Sequence, residues 1–245
     1  MAKSYWESTY FSQPTTEKLQ KNADGTRKKA AKKGTELHPI IVKSRNITTS
    51  WWGSAWCRNL ERYADFSSRI DRGKRYVRSG MVVDLQIQPG KISARVQGSR
   101  RTPYKVEIRI SPLSQESCQS IIDRCSEKIA NLEALIDGSF PEEMKEVFGG
   151  KGGLFPTPRE ISFSCSCPDW ALMCKHVAAA LYGVGVRFDE DPLLFFQLRG
   201  IDIGHFIDVS LANRVDQLLA NAETGSQSSR IIEDNSDLTS LFGIL

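Results

Sequence analysis

The stretch ISFSCSCPDWALMCKHVAAALYGVG, residues 161–185, decides how this chain folds. Within it, Cys165, Cys167, Cys174 and His176 follow the spacing C-x-C-x6-C-x-H. Three thiols and one imidazole form a full tetrahedral set of soft ligands, of the kind that closes a structural zinc site. We therefore predict that these four residues bind one structural Zn²⁺.

The first half of the stretch has the pattern of a β-strand. Apolar or Cys residues alternate with Ser over residues 161–167. Side chains two positions apart lie on the same face of a strand, so both thiols of this half would face one ligand. Pro168 and Asp169 would end the strand, because proline cannot continue a ladder and Asp favours turns.

The second half has the pattern of a helix that begins near Lys175 and stops at Gly183 and Gly185. Inside a helix, side chains two positions apart point about 200° away from each other. Cys174 must therefore lie on the turn that leads into the helix, with His176 in its first turn. The result is a strand, a turn and a helix around one ion.

The four residues allow two alternatives to a metal site. Cysteines are often small buried side chains, although seldom in this arrangement. A disulfide between Cys165 and Cys167 is less favoured still.

The same stretch resembles a SWIM-type zinc finger, above all in its C-x-C-P-D-W and C-K-H-V-A-A-A-L-Y-G-V-G segments. Other segments resemble bacterial SWIM zinc-finger family proteins over most of the chain: WWGSAWCRNLERYAD (51–65), GKRYVRSGMVVDLQI (73–87), VQGSRRTPYKVEI (96–108) and DPLLFFQLRGID (191–202). The resemblance implies a zinc-dependent module that binds DNA or proteins. It also implies a partner among Swi/Snf-type helicase-like ATPases.

Composition limits the class of protein. The chain has 245 residues, of which 40% are apolar, enough for one or two domains with their own cores. It has no apolar run of about 18 residues that would span a membrane, and no signal-peptide pattern at its start. We expect a cytoplasmic protein, with association to the nucleoid as an option.

Charge is distributed unevenly along the chain. Residues 1–109 hold 23 Lys and Arg against 9 Asp and Glu, a net charge of +14, and residues 110–245 carry −10. A strongly basic half is the electrostatic signature of a nucleic-acid binder, because each neutralised phosphate releases counterions. The finger itself is almost neutral, so we do not expect it to make the main phosphate contacts.

The pattern along the chain predicts an α+β fold: a three-stranded α+β N-terminal unit, a helical middle segment and a zinc-stabilised strand-turn-helix module. Alternating residues predict a hairpin of 81–87 and 92–96 across Pro89-Gly90, and a third strand at 104–110. The predicted units are a flexible basic arm (1–50), a basic α+β unit (51–112), a helical connector (113–153), the finger (154–186), a helical extension (187–220) and an acidic, Ser-rich tail with an apolar end (221–245).

Helix signals locate the elements outside the sheet. They predict helices at 114–137 and 141–148 in the connector, and one capped by Ser210 in the extension. Leu238 and the apolar residues after it either dock into a partner's groove or fold back onto the core, and the sequence does not separate these alternatives.

Twelve basic residues are candidates for nucleic-acid contact. They lie in the predicted arm, on a predicted loop between residues 69 and 78, and before the third strand: Arg27, Lys28, Lys29, Lys32, Lys33, Arg69, Arg72, Lys74, Arg75, Arg78, Arg100 and Arg101. Tyr76 lies among them, and Trp51 and Trp52 are at the start of the basic α+β unit, so that bases could stack there. Two alternatives stay open: the basic residues of the arm only keep the protein soluble, and the tryptophans pack in the core instead of stacking on bases.

Nothing in the sequence indicates catalysis. Four close ligands leave no open position on the metal, and neither H-x-E with P-C-x-x-C nor H-E-x-x-H occurs. A pair of carboxylates assembled only in space would escape this test. We expect a zinc-binding accessory protein, not an enzyme, that binds nucleic acid, with DNA favoured over RNA, and a protein such as a helicase-like ATPase. The alternative is a protein-binding scaffold without nucleic-acid contact.

Overall fold

A computed structural model describes residues 14–65, 67–128, 144–150 and 152–223. Helices and strands are numbered in chain order among these residues. They are α1 Thr16–Lys32, α2 Trp51–Glu61, α3 Ser67–Arg78, β1 Val82–Gln88, β2 Lys91–Val96, β3 Tyr104–Ile110, α4 Gln115–Lys128, α5 Lys145–Gly149, β4 Ile161–Cys165, α6 Lys175–Glu190, α7 Leu194–Leu198 and α8 Ile203–Glu223. The fold is α+β, as predicted.

The sheet has four antiparallel strands in the order β1-β2-β3-β4. The predicted hairpin and third strand are confirmed, and Gly90 makes the β1–β2 turn with φ of 68°. The prediction of three strands was incomplete, because β4 of the finger pairs with β3 and places Cys165 opposite Val106. The finger and the basic unit thus share one sheet.

Helix α6 is the central element of the core. Most of its residues are buried, and it packs against α2, α3 and the sheet. The predicted stop at Gly183 and Gly185 was wrong, since the helix continues to Glu190. A Cβ at Gly185 would lie 2.8 Å from the Cys57 Sγ atom, so this glycine allows α2 to approach. The helix ends where Asp191, extended before a proline, leaves the helical conformation.

The basic run between residues 69 and 78 forms helix α3, although we predicted a loop. Its buried residues Ile70, Gly73 and Val77 recur at i, i+3 and i+7, which is the spacing of one helical face. The arginines between them made this pattern hard to detect in the sequence. A Cβ at Gly73 would lie 2.5 Å from the Ala178 Cβ atom. The absence of a side chain there lets α3 pack closely on α6.

The predicted basic arm contains helix α1, which the prediction of a flexible segment missed. Leu19 and Ala23 are buried, and the Thr26 hydroxyl donates to the Gln97 side chain at 2.9 Å. These two buried residues, together with the hydrogen bonds from Thr26 to Gln97 and from Arg27 to Gly80 O, connect this polar helix to the rest of the fold. Residues 1–13 lie outside the described residues.

The helices outside the sheet follow the predictions in part. Helix α4 begins close to the predicted position, and residues 129–143, where the prediction placed its end and the next start, lie outside the described residues. Helix α8 begins at Ile203, before the predicted cap at Ser210, because the Asp202 carboxylate accepts a hydrogen bond from Gly204 N at 2.8 Å. No helix in the described ranges is long and apolar enough to cross a membrane.

The predicted acidic tail with its apolar end lies almost entirely outside the described residues, which end at Glu223. Helix α8 includes the first residues of that predicted unit. The two alternatives for Leu238 and the residues after it both stay predictions.

Candidate metal centre

Four side chains with metal-binding atoms converge between β4 and α6. The donor atoms of Cys165, Cys167, Cys174 and His176 all lie within 4.8 Å of one another. Cys165 ends β4, Cys167 follows in the next turn, Cys174 is the N-cap of α6 and His176 lies in its first turn. This is the arrangement that the spacing predicts.

Sheet pairing places the first two thiols. Ser166 N donates to Lys105 O at 3.0 Å, and Lys105 N donates to the Ser166 hydroxyl at 3.0 Å. The pairing with β3 therefore continues one residue beyond the strand. Cys165 and Cys167, two positions apart, both place their Sγ atoms in the four-ligand cluster.

The helix start places the other two ligands. Cys174 has an extended backbone with φ of −69° and ψ of 166°, and its carbonyl accepts the hydrogen bond of Ala178 N at 3.0 Å. The Sγ atoms of Cys165 and Cys174 each lie 3.9 Å from His176 Nδ1. Two ligands of a tetrahedral zinc ion, one sulfur and one nitrogen, are roughly 3.6 Å apart. These two distances are close to that value, and all four donor atoms lie within 4.8 Å of one another, so the set can contract around one zinc ion.

Packing fixes the orientation of the His176 ring. The ring stacks on Tyr104 with a centroid distance of 4.3 Å, and Tyr76 meets it edge-on at 5.6 Å. Its Nδ1 atom faces the thiols, while Nε2 is buried with no hydrogen-bond partner among the described residues. A Cβ at Gly98 would lie 3.0 Å from Nε2. Aromatic contacts thus orient this ligand, where many metal sites use an outer carboxylate.

The thiols share their protons unequally. Hydrogen bonds from Cys165 and His176 lower the pKa of the Cys174 thiol well below its usual value. The hydrogen bond with Cys174, and then burial, raise the pKa of Cys165. Binding of a divalent cation would release the remaining thiol protons, since thiolates are the metal ligands.

Two contacts from outside the finger hold the loop between Cys167 and Cys174. The Asp65 carboxylate accepts from Leu172 N at 2.8 Å and from Met173 N at 3.4 Å. The Arg69 guanidinium pairs with Asp169 at 3.1 Å, with both side chains largely buried. Sequence reasoning missed these roles because the partners are about one hundred residues apart and no local pattern joins them.

Comparison with known proteins identifies the module. The family model described as SWIM zinc finger matches residues 162–184. The chain is also 35% identical over 199 residues to the Uncharacterized protein Rv2102 of Mycobacterium tuberculosis (strain ATCC 25618 / H37Rv), covering 79% of this chain and 72% of that protein. The chain belongs to the SWIM zinc-finger family. No solved structure matches it.

The SWIM finger provides all four ligands of the zinc site, which is therefore a closed structural site. Its four donors come from a strand end, a turn and a helix start, so one ion joins three pieces of backbone. Four protein ligands complete a tetrahedron without a water molecule. The predicted cofactor, a zinc ion bound by these four residues, is supported by both the family match and the geometry.

The structure divides the twelve candidate basic residues into groups. Three have acidic partners: Arg27 pairs with Asp24 at 2.8 Å, Arg69 with Asp169, and Lys74 with Glu61 at 2.9 Å. Arg100 lies 5.3 Å from the centre of the Tyr104 ring. Six more are exposed, and they are Lys28, Lys29, Lys32, Lys33, Arg78 and Arg101.

The remaining two candidates, Arg72 and Arg75, line an open cleft of about 370 Å³ between α1, α3 and the start of α6. Tyr76 and Lys175 line it too, and Thr16 contributes the start of α1. Lys175, next to two metal ligands, was missed by the sequence analysis because it lies outside the basic half. We call this cavity the basic cleft.

The two tryptophans at the start of α2 belong to the core. Trp52 Nε1 donates to Phe188 O at 2.8 Å, and the Trp51 ring meets Phe148 edge-on at 5.3 Å. Both are only partly exposed and pack against the buried cluster. These contacts support the core-packing alternative for both residues.

Proposed function

We propose that this SWIM protein is a zinc-stabilised accessory protein of the cytoplasm that binds nucleic acid, with DNA favoured over RNA. The zinc acts structurally and the protein acts by binding, without catalysis of its own. The basic cleft carries this proposal. It brings together Arg72, Arg75 and Lys175, three cations from segments about one hundred residues apart.

The properties of the basic cleft suit a phosphate backbone. Its lining includes the hydroxyl residues Ser79 and Ser99 as well as the cations, and hydroxyls and arginines both contact phosphate oxygens in nucleic-acid complexes. No carboxylate is among its lining residues in the described part of the chain. A linear polyanion would meet three cations there and, among the described lining residues, no carboxylate that competes with it.

Zinc has a defined part in this proposal. Lys175 is the first residue of α6 and stands between Cys174 and His176. Metal binding therefore determines where this cation lies relative to α3. A role as support for the cleft agrees with the near-neutral charge of the finger itself.

A protein partner is the second part of the proposal. Helix α8 exposes four apolar residues at helical spacing, with 42% to 58% of each accessible: Leu211, Val215, Leu218 and Leu219. Such a stripe on an exposed helix suits an apolar groove in another protein. The family resemblance supports a helicase-like ATPase as this partner. The stripe also favours the alternative function, a protein-binding scaffold without nucleic-acid contact.

A salt titration with matched variants tests the proposal. Labelled DNA and RNA are titrated with the wild type, with R72A/R75A, and with R109A/R159A, which removes the same charge from exposed positions elsewhere. We expect R72A/R75A to weaken binding for all sequences and to lower the salt slope by about 1 for each lost phosphate contact. The control should bind like the wild type. Failure of the wild type to bind at low salt would favour the scaffold.

A further inference from the structure

The finger exposes a tryptophan at the tip of its loop. Trp170 is 81% exposed and Leu172 is 64% exposed, between the second and third metal ligands. Of the other tryptophans that the structure describes, Trp56 is buried in the core, and Trp51 and Trp52 are partly buried against it. Because burial of a large aromatic ring is favourable, an exposed indole on an ordered loop indicates an interaction surface.

The loop that carries Trp170 is held at several points. Cys167 and Cys174 bind the metal on either side of it, Asp65 accepts two of its backbone N–H groups, and Arg69 pairs with Asp169 directly before the indole. A ring on a loop fixed in this way loses little conformational freedom when a ligand covers it. The loop therefore presents the indole in a preorganised position, where a planar ring of a partner could stack on it.

Cations of the basic cleft lie near Trp170 or near Arg69 along the chain, and they indicate the class of partner. Arg69, which pairs with the neighbouring Asp169, lies one helical turn before Arg72 of the basic cleft. Lys175 of the same cleft is five residues after Trp170, a span of at most about 17 Å. A partner that covers the indole and reaches the cleft needs a π-face and negative charge at this spacing. A nucleotide chain has both.

We propose that Trp170 is a base-stacking platform that makes this protein prefer single-stranded over double-stranded nucleic acid. In a duplex both faces of each base are covered by neighbouring bases, whereas an unpaired base can stack on an aromatic ring. Phosphates of the same strand would lie in the basic cleft beside Arg72 and Arg75. This inference rests on the proposed nucleic-acid binding and adds the strand class to it.

The experiment compares three ligands and four proteins. The ligands are a labelled single-stranded oligonucleotide, as DNA and as RNA, its duplex, and a strand of the same length whose sites are all abasic. The proteins are the wild type, W170A, W170F and L172A, each checked for one zinc per chain. L172A removes the other exposed apolar side chain of the loop without removing a π-face.

We expect W170A to weaken binding of the single strand roughly 5- to 150-fold, the range measured for one stacked base. W170F should retain part of the affinity, and L172A should bind like the wild type. Binding of the duplex and of the abasic strand should change less than about twofold in W170A, since neither offers a free base to the ring. Quenching of tryptophan fluorescence on addition of the single strand should be much smaller in W170F than in the wild type.

Two failures can be told apart. If the wild type binds no nucleic acid at low salt, the proposed function itself fails. If R72A/R75A weakens binding but W170A does not affect the single strand, only the stacking role is overturned. Equal losses in W170A for single strand, duplex and abasic strand would also overturn it, because stacking requires a free base.

Discussion

The two ends of helix α6 are held by different kinds of interaction. At its first turn, Cys174 and His176 belong to the zinc centre, and the loop before them exposes Trp170 and Leu172. At its last turn, Phe188 is fully buried and its ring lies 5.1 Å from that of Trp56. One end depends on metal ligation, and the other on an apolar core.

The difference shows what a metal does in a small module. The loop of the finger directs Trp170 and Leu172 outward and buries Met173, so burial alone holds it in place only in part. Metal coordination adds the stability that burial of Trp170 and Leu172 would otherwise provide at that end of α6. These two side chains can therefore stay exposed and contact a partner. At the aromatic end, Phe188 and Trp56 are buried and pack against each other. The two ends should therefore respond to different perturbations.

The largest effect is expected when the metal is lost. C174S should abolish zinc binding, removing an apparent binding free energy of about 10–16 kcal/mol. Metal content by native mass spectrometry should fall to zero, and hydrogen exchange should accelerate over residues 166–176 while the last turns of α6 keep their protection. C118S, which changes a cysteine outside the cluster, is the control and should keep its zinc. A metal-free wild type with full protection over 166–176 would contradict this comparison.

Truncation at the aromatic end should have the next largest effect. Trp56 is 1% exposed, and its indole N–H donates to Leu181 O at 3.0 Å. W56A should lower the free energy of unfolding by about 3–5 kcal/mol, measured by urea denaturation. The folded fraction should still bind one zinc ion, because the metal ligands lie at the opposite end of α6. W170A is the comparison, because it truncates a tryptophan at the exposed end of α6. It should change the free energy of unfolding by less than about 0.5 kcal/mol.

A smaller effect is expected where α3 packs on α6. G73A would place a methyl group 2.5 Å from the Ala178 Cβ atom and should lower the free energy of unfolding by about 1–3 kcal/mol. G25A in helix α1 is the matched control, because no atom lies within 4 Å of its added Cβ. It should raise the same free energy by about 0.5–1 kcal/mol. Thermal denaturation of both variants measures the difference, and equal effects would show that α3 does not need this close approach.

The smallest effect concerns an ion pair where β4 begins. Burial opposes ionisation of Glu160, but hydrogen bonds from buried Arg199 and from Thr157 outweigh it and lower the pKa of Glu160. Its contribution to stability should be present above pH of about 4.3, the ordinary pKa, and should be lost as pH falls from there through the lower pKa of the folded state. Since Glu160 is partly exposed, E160Q should cost about 1 kcal/mol at pH 7, and it should cost less as pH falls to about 3. Urea titrations at both pH values provide the test, and an equal loss at both would argue against the ion pair.

Local patterns predicted well wherever neighbours in sequence are neighbours in space. The ligand spacing, the hairpin at Pro89-Gly90 and the start of α6 each depend on contacts within a few residues. The patterns failed where a distant element changes the outcome. Gly185 indicates a helix stop in sequence, but inside the core it makes room for Cys57 of α2. Arg69 is one of many cations in sequence, but in the fold it pairs with Asp169 of the finger.

The sequence by itself determined the zinc site and the family, because four ligands within twelve residues leave little freedom of placement. Only the tertiary structure decided which cations share a cleft, that β4 completes the sheet of the basic unit, and that Trp170 rather than Trp51 or Trp52 is exposed. These features depend on contacts between segments far apart along the chain. Helical or strand periodicity describes one segment at a time and carries no information about such contacts.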